Sequence, residues 1–211
     1  PGDHEKRQEL VQMLNDVAEL SSKVHVKEAS VETQSLGSAL TFEVLQDGQA
    51  SGIVFSGVPG GHEFNSFVLA ILHAGGVAIK LDDAIQALVR TIQQPLQFQT
   101  VVALSCHSCP DVVQALNQMA LINPNITNEM IDGGLYPDFI EDNKIQGVPS
   151  VLLNGEAFAN GQVDAALIIQ KLQEKGFTQV DELQPQQQIE LQDVTIIGGG
   201  PAGVAAGIYA A

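Results

Sequence analysis

Residues 96–122 constrain this chain more than any other stretch. LQFQTVVAL, rich in β-branched residues, reads as a strand. It runs directly into SCHSCP, which holds both cysteines of the chain three positions apart. DVVQALNQMALI then repeats apolar residues at helical spacing. A strand that ends in Cys-x-x-Cys-Pro and turns at once into a helix admits three chemistries: half of a metal site, a covalent staple, or a redox centre. A structural zinc site needs four ligands. The chain has no second Cys pair, and His25, His62 and His73 lack the paired spacing of zinc ligands, which leaves only His107 nearby. A disulfide closing so short a loop restricts the unfolded chain little, so it makes a poor staple. The redox reading explains more. A cysteine at a helix N-terminus meets free backbone N–H groups and the positive end of the helix dipole, which favour the thiolate that attacks disulfides. Cys106 is then the attacking sulfur, and Cys109, expected one turn into the helix, resolves the mixed disulfide. Pro110 suits the first helical turn, where its missing N–H costs nothing. His107 can lend positive charge or a hydrogen bond, although an exposed loop histidine is an equally good account of it.

The remaining elements follow from periodicity. Helices are expected over 4–20, 63–73, 82–93, 110–122, 137–143 and 162–175. Strands are expected over 23–28, 39–45, 51–55, 96–104, 126–131, 148–153 and 156–158, with hairpin turns at Asp47-Gly48 and Asn154-Gly155. Two helices match each other: LVQMLNDVA from Leu10 and VVQALNQMA from Val112 share Val, Gln, Leu, Asn and Ala, an offset of 102. Similar element orders follow both, which indicates an internal duplication. At that offset His4 and Arg7 stand where the second unit has Cys106 and Cys109, so the first unit lacks thiols. Val148-Pro149 opens a strand about forty residues after the cysteines. Proline is tolerated at a strand start, and beside a Cys-x-x-Cys it is a candidate cis bond.

Composition narrows the partners. Nine Lys and Arg face 25 Asp and Glu, for a net charge of −16. That balance argues against nucleic acid and anionic membrane surfaces, which need clustered cations. No apolar run reaches membrane-spanning length. Two cysteines are too few for a secreted disulfide framework, so a reducing, cytoplasmic setting is expected. PGDHEKRQ at the start has neither an initiator Met nor an apolar signal core, so the chain is read as beginning inside a longer one. Residues 178–192 are rich in Gln and acids and read as a linker. DVTIIGGGPAGVAAGIYAA follows, with Gly198, Gly200 and Gly203 in the G-x-G-x-x-G pattern that seats a pyrophosphate on a helix N-terminus. The sequence ends before the acidic residue and the second strand of such a unit, so these residues alone are not expected to bind FAD.

Taken together, CHSCP, VVQALNQMALINP, the IDGG turn, QGVPSVLLNGEAF, SGVPGGHEFNSFVLAILHAGG and the terminal GGGPAG resemble the N-terminal domain of the flavoprotein component of alkyl hydroperoxide reductase, and the resemblance spans nearly the whole chain. It implies an α/β fold of two tandem thioredoxin-like units with a fused or continuous mixed sheet. Unit one would be residues 1–94, without thiols and without its first strand. Unit two, residues 95–177, would carry the cysteines. A linker at 178–192 and a truncated Rossmann-type FAD-binding start at 193–211 complete the scheme. The resemblance implies that a Cys106–Cys109 redox disulfide receives electrons from the chain's own flavin domain, fed by NADH, and passes them to a two-cysteine peroxiredoxin. It also implies a homodimer for the longer protein. Pro149 becomes a cis-proline shaping the partner groove. Glu63, in GGHEF, becomes a buried acid that moves the proton of Cys109, where the residues alone favour a first-turn Glu stabilising the helix dipole. A tandem docking module with incidental thiols is the alternative function.

Overall fold

The computed structural model describes residues 4–28, 36 and 39–178. The Gly198, Gly200 and Gly203 motif and nearly all of the linker lie outside the described residues, as does most of the segment between Glu28 and Ala39.

Local chemistry sets the elements. Helix α1 spans Arg7–Glu19. Strands β1 (Thr41–Gln46) and β2 (Gln49–Ser56) form a hairpin closed by Asp47 and Gly48 at φ 51° and 81°. Both residues sit in the left-handed region, as a two-residue hairpin turn requires. Helix α2 covers Glu63–Ala74, and α3 covers Asp83–Arg90 behind an Asp82 cap that accepts from the Ala84 N–H. Strand β3 (Leu96–Val102) leads to α4 (Cys109–Ile122), then to β4 (Ile126–Asp132) and the short α5 (Pro137–Asp142). Strands β5 (Ser150–Leu153) and β6 (Glu156–Asn160) form a second hairpin of the same kind, with Asn154 and Gly155 at φ 53° and 82°. Helix α6 (Ala165–Glu174) follows the Asp164 cap.

Among the described residues the strands make one mixed sheet, ordered β1-β2-β4-β3-β5-β6. The central strands β2, β4 and β3 are parallel, and β1, β5 and β6 run antiparallel to their neighbours. Alternation in the strands selects the core face. Ile53 and Phe55 of β2, Leu96 and Phe98 of β3, and Ile126 and Met130 of β4 are fully buried. They pack beneath Val112, Val113, Leu116 and Met119 of α4 and Ile168 and Leu172 of α6. Phe55 stacks on Phe42 at 5.1 Å, and Phe67 of α2 meets both rings edge-on. These aromatic contacts fasten α2 to the β1–β2 hairpin.

The predicted strand at 23–28 does not form: residues 24–28 are without regular structure. KVHVKE alternates, but no strand among the described residues offers it a ladder, and alternation without a partner strand is not a strand. Helix α6 starts at 165 rather than 162 because Asp164 caps it, and α3 stops at Arg90, before the predicted end at 93. Strand β3 ends at Val102, two residues early, since the chain turns at Ala103–Cys106.

Candidate redox site

All three parallel strands end at the same edge of the sheet, and the cysteine loop leaves from that edge. The Cys106 N–H donates to the Ala103 carbonyl at 2.9 Å, which folds the chain back before α4. Cys106 and Cys109 are joined as a disulfide, with their Cα atoms 5.5 Å apart. Cys109 is the first residue of α4, not one turn inside it, because Ser108 occupies the cap position. The two sulfurs therefore differ. Cys109 is fully buried under the helix start, whereas Cys106 is partly exposed ahead of it. The Cys109 backbone N–H donates to the Cys106 sulfur at 3.2 Å. An N–H aimed at a sulfur, at the positive end of a helix, favours negative charge on that sulfur. The Ser108 hydroxyl stands 3.7 Å from it.

Strand β5 brings Pro149 to the same place. Ser150 pairs with Val101, one residue before the end of β3, so Pro149 lies beside the strand end that feeds the loop. Its peptide bond with Val148 is cis, as the sequence suggested. Pro149 is buried and Val148 is exposed beside it.

The third contribution comes from α2, which packs against α4. Its approach is close: the His62 N–H donates to the Leu104 carbonyl at 3.1 Å. A Cβ on Gly61 would sit 2.5 Å from that same carbonyl oxygen, and Gly61 has φ +55°. Only glycine meets both demands without displacing the loop. Glu63, the first residue of α2, is fully buried, and neither of its carboxylate oxygens has a hydrogen-bond partner. Burial pushes its pKa up to about 7, against a smaller opposing pull from the nearby Ser66 hydroxyl that does not amount to a regular hydrogen bond. A first-turn Glu stabilising a helix dipole sits in solvent; this one does not. His107 is exposed, and its ring meets that of His62 with centroids 4.3 Å apart. Sequence spacing gave no reason to pair these two histidines, because 45 residues separate them.

The fold thus assembles Cys106, Cys109, Pro149, Glu63 and His107 at one end of the sheet, with His62 added. Among the described residues, no three His, Cys, Asp or Glu side chains form a metal-ligand group around this disulfide, and no helix is long and apolar enough to cross a membrane. Asp132, at the end of β4, is also raised by burial, opposed by the Gly134 N–H and by Lys6.

A mixed sheet ordered in this way, with a disulfide at a strand-to-helix junction beside a cis-proline, defines a thioredoxin-like thiol–disulfide protein. The thioredoxin domain family matches residues 98–174. A protein disulfide oxidoreductase from Aeropyrum pernix shares the fold at TM-score 0.58 and 23% identity, covering 66% of this chain and 62% of the other. The alkylhydroperoxide reductase AhpF of Enterococcus faecalis superposes at TM-score 0.72 with 33% identity, covering 81% of this chain and 86% of that chain. The F subunit of alkyl hydroperoxide reductase from Staphylococcus epidermidis is 43% identical over all 211 residues. A Bacillus subtilis relative named NADH dehydrogenase is 39% identical over 210 residues. The chain belongs to the AhpF family of alkyl hydroperoxide reductase, and it spans 39% of the length of these two curated relatives.

Proposed function

We propose that this chain is the electron-transferring dithiol module of a peroxiredoxin reductase. Its longer parent would carry electrons from NADH through a flavin to Cys106–Cys109, and from there to the disulfide of a two-cysteine peroxiredoxin. Gly198, Gly200 and Gly203 would open the FAD-binding domain of that parent. Residues 1–94 and 95–177 are read as two thioredoxin-like units. The 102-residue offset that relates α1 to α4 also relates Glu63 and Ala165, the first residues of α2 and α6, which supports that reading.

The observation that carries the proposal is the asymmetry of the two sulfurs: a partly exposed Cys106 facing solvent, and a buried Cys109 behind it on the same side of the molecule as the buried Glu63. In the forward reaction the Cys106 thiolate attacks a partner sulfur and the partner disulfide breaks. Cys109 then attacks Cys106 within the mixed disulfide and releases the partner as a dithiol. Two electrons move to the partner, and this chain ends oxidised. Cys109 must lose a proton to attack. Glu63, with a pKa near neutrality, is suited to accept it.

The test uses the chain reduced chemically and freed of reductant, mixed with an oxidised two-cysteine peroxiredoxin. Stoichiometric appearance of partner thiols is expected. Cys109→Ser should accumulate a mixed disulfide through Cys106, and Cys106→Ser should transfer nothing. Unchanged transfer by Cys106→Ser would refute the assignment.

A further inference from the structure

Ser108 is a serine at a helix N-cap that does not cap. A serine there ordinarily accepts a hydrogen bond from an N–H two or three residues further on. At the start of α4 that bond is not made. The backbone gives the reason. Ser108 has helical φ −94° and ψ −10°, whereas Asp82 and Asp164, which do cap their helices, have ψ of 141° and 173°. The Ser108 hydroxyl instead stands 3.7 Å from the Cys106 sulfur, its one hydrogen-bond contact among the described residues. A disulfide sulfur carries no proton, so the hydroxyl is the donor. The Cys109 N–H reaches the same sulfur at 3.2 Å, and Pro110 beside it has no N–H to give. Two donors therefore converge on Cys106, one from the backbone and one from a side chain. Both Cys106 and Ser108 are partly exposed, so the contact lies where a partner must approach. A hydroxyl that meets a neutral sulfur meets a thiolate more strongly, because hydrogen bonds to ionised acceptors are shorter and about twice as strong.

We propose that Ser108 is a catalytic residue whose hydroxyl donates a hydrogen bond to the Cys106 thiolate and readies it to attack a partner disulfide. The catalytic part rests on the function proposed above; the hydrogen bond to the thiolate does not. In the attack, the Cys106 thiolate forms a bond to one partner sulfur, the partner S–S bond breaks, and the second partner sulfur leaves with the electron pair as a thiolate. Ser108 keeps its proton throughout. It lowers the cost of the negative charge before the attack and releases the sulfur as that charge moves to the partner. The titratable side chains on the elements around the loop are His107 within it, His62 and Glu63 at the start of α2, Cys109 and Asp111 at the start of α4, and Asp132 at the end of β4; β3 and β5 bring none. All of them remain when Ser108 is replaced, so a change in Cys106 ionisation reports the hydroxyl.

The experiment measures the rate of Cys106 alkylation by iodoacetamide against pH, in the chain reduced with a phosphine, with the modified sulfur located by mass. Ser108→Ala should move the midpoint of the profile up by about half a unit to one unit. Above the midpoint the variant should alkylate no more slowly than the wild type, because a more basic thiolate is at least as nucleophilic; a damaged site would be slow at every pH. Ser108→Thr keeps the hydroxyl and should restore the wild-type midpoint. Urea unfolding of the disulfide form should be nearly unchanged in Ser108→Ala, since no cap is lost. An unmoved midpoint in Ser108→Ala would overturn the proposal, as would a midpoint in Ser108→Thr displaced as far as in the alanine variant. Transfer to an oxidised two-cysteine peroxiredoxin is read separately. If the wild type transfers electrons but Ser108→Ala ionises Cys106 normally, only this proposal fails. If the midpoint moves as expected but the wild type transfers nothing, the hydrogen bond stands and the function above fails.

Discussion

Glu63 carries the largest electrostatic consequence of any single residue here. Its folded pKa of about 7 stands above the ordinary 4.5, so the folded state holds its proton more tightly than the unfolded state does. The sign follows from linkage: the stabilisation is complete below pH 4.5, is lost as pH rises toward 7, and stays lost above it. A shift of that size corresponds to up to about 3 kcal/mol. Denaturant unfolding of the wild type should therefore show stability falling from pH 5 to pH 8, and Glu63→Gln should flatten much of that slope. Glu43 and Asp132, also raised by burial, slope the same way, so some of it will persist. The same substitution should slow the resolving step and remove its dependence on pH near neutrality, measured by stopped-flow decay of the mixed disulfide. A second residue-scale test is Gly61→Ala. With φ +55° and a backbone oxygen at 2.5 Å from the added carbon, it should cost about 1–3 kcal/mol and loosen the approach of α2 to the cysteine loop. Urea unfolding gives the first quantity, and the rate of Cys106 alkylation in the reduced protein reports the second.

At the scale of elements, caps and turns decided boundaries that periodicity left open. Asp164 accepts from the Leu167 N–H at 2.8 Å and sets the start of α6, whose Ile168, Ile169 and Leu172 are buried. Asp164→Ala should lower stability by about 1 kcal/mol without altering disulfide exchange, a combination that unfolding and transfer assays check together. The hairpins were legible because Asp47-Gly48 and Asn154-Gly155 carry their own positive φ. The failed strand at 23–28 shows the converse. Alternation records the preference of a segment for a pleated surface, but a strand exists only where another strand offers free N–H and C=O groups. The start of α4 teaches a related lesson. Pro110 signalled a first turn correctly, yet Ser108 rather than Cys106 takes the cap, so Cys109 opens the helix and Cys106 stands outside it.

Across the whole molecule, one aromatic cluster fastens α2 to the β1–β2 hairpin, while its other side packs against α4. Phe55 is fully buried and touches both Phe42 and Phe67. Phe55→Ala should cost about 3–5 kcal/mol, and because Phe67 belongs to α2, it should also lower the pKa of Glu63 by admitting water at the helix start. Thermal unfolding and the pH dependence of exchange measure the two effects. The sequence alone marked the cysteine pair and its strand-to-helix setting as the candidate redox centre, since Cys-x-x-Cys residues at such a junction need no distant partner to declare themselves. It also marked Pro149 and the glycine turns, because such residues carry their backbone constraint with them. Only the tertiary structure decided that Glu63 is buried without a hydrogen bond and that His62 reaches His107. Burial and ring contact depend on how α2 packs against α4, and no local pattern in either helix records the distance between them.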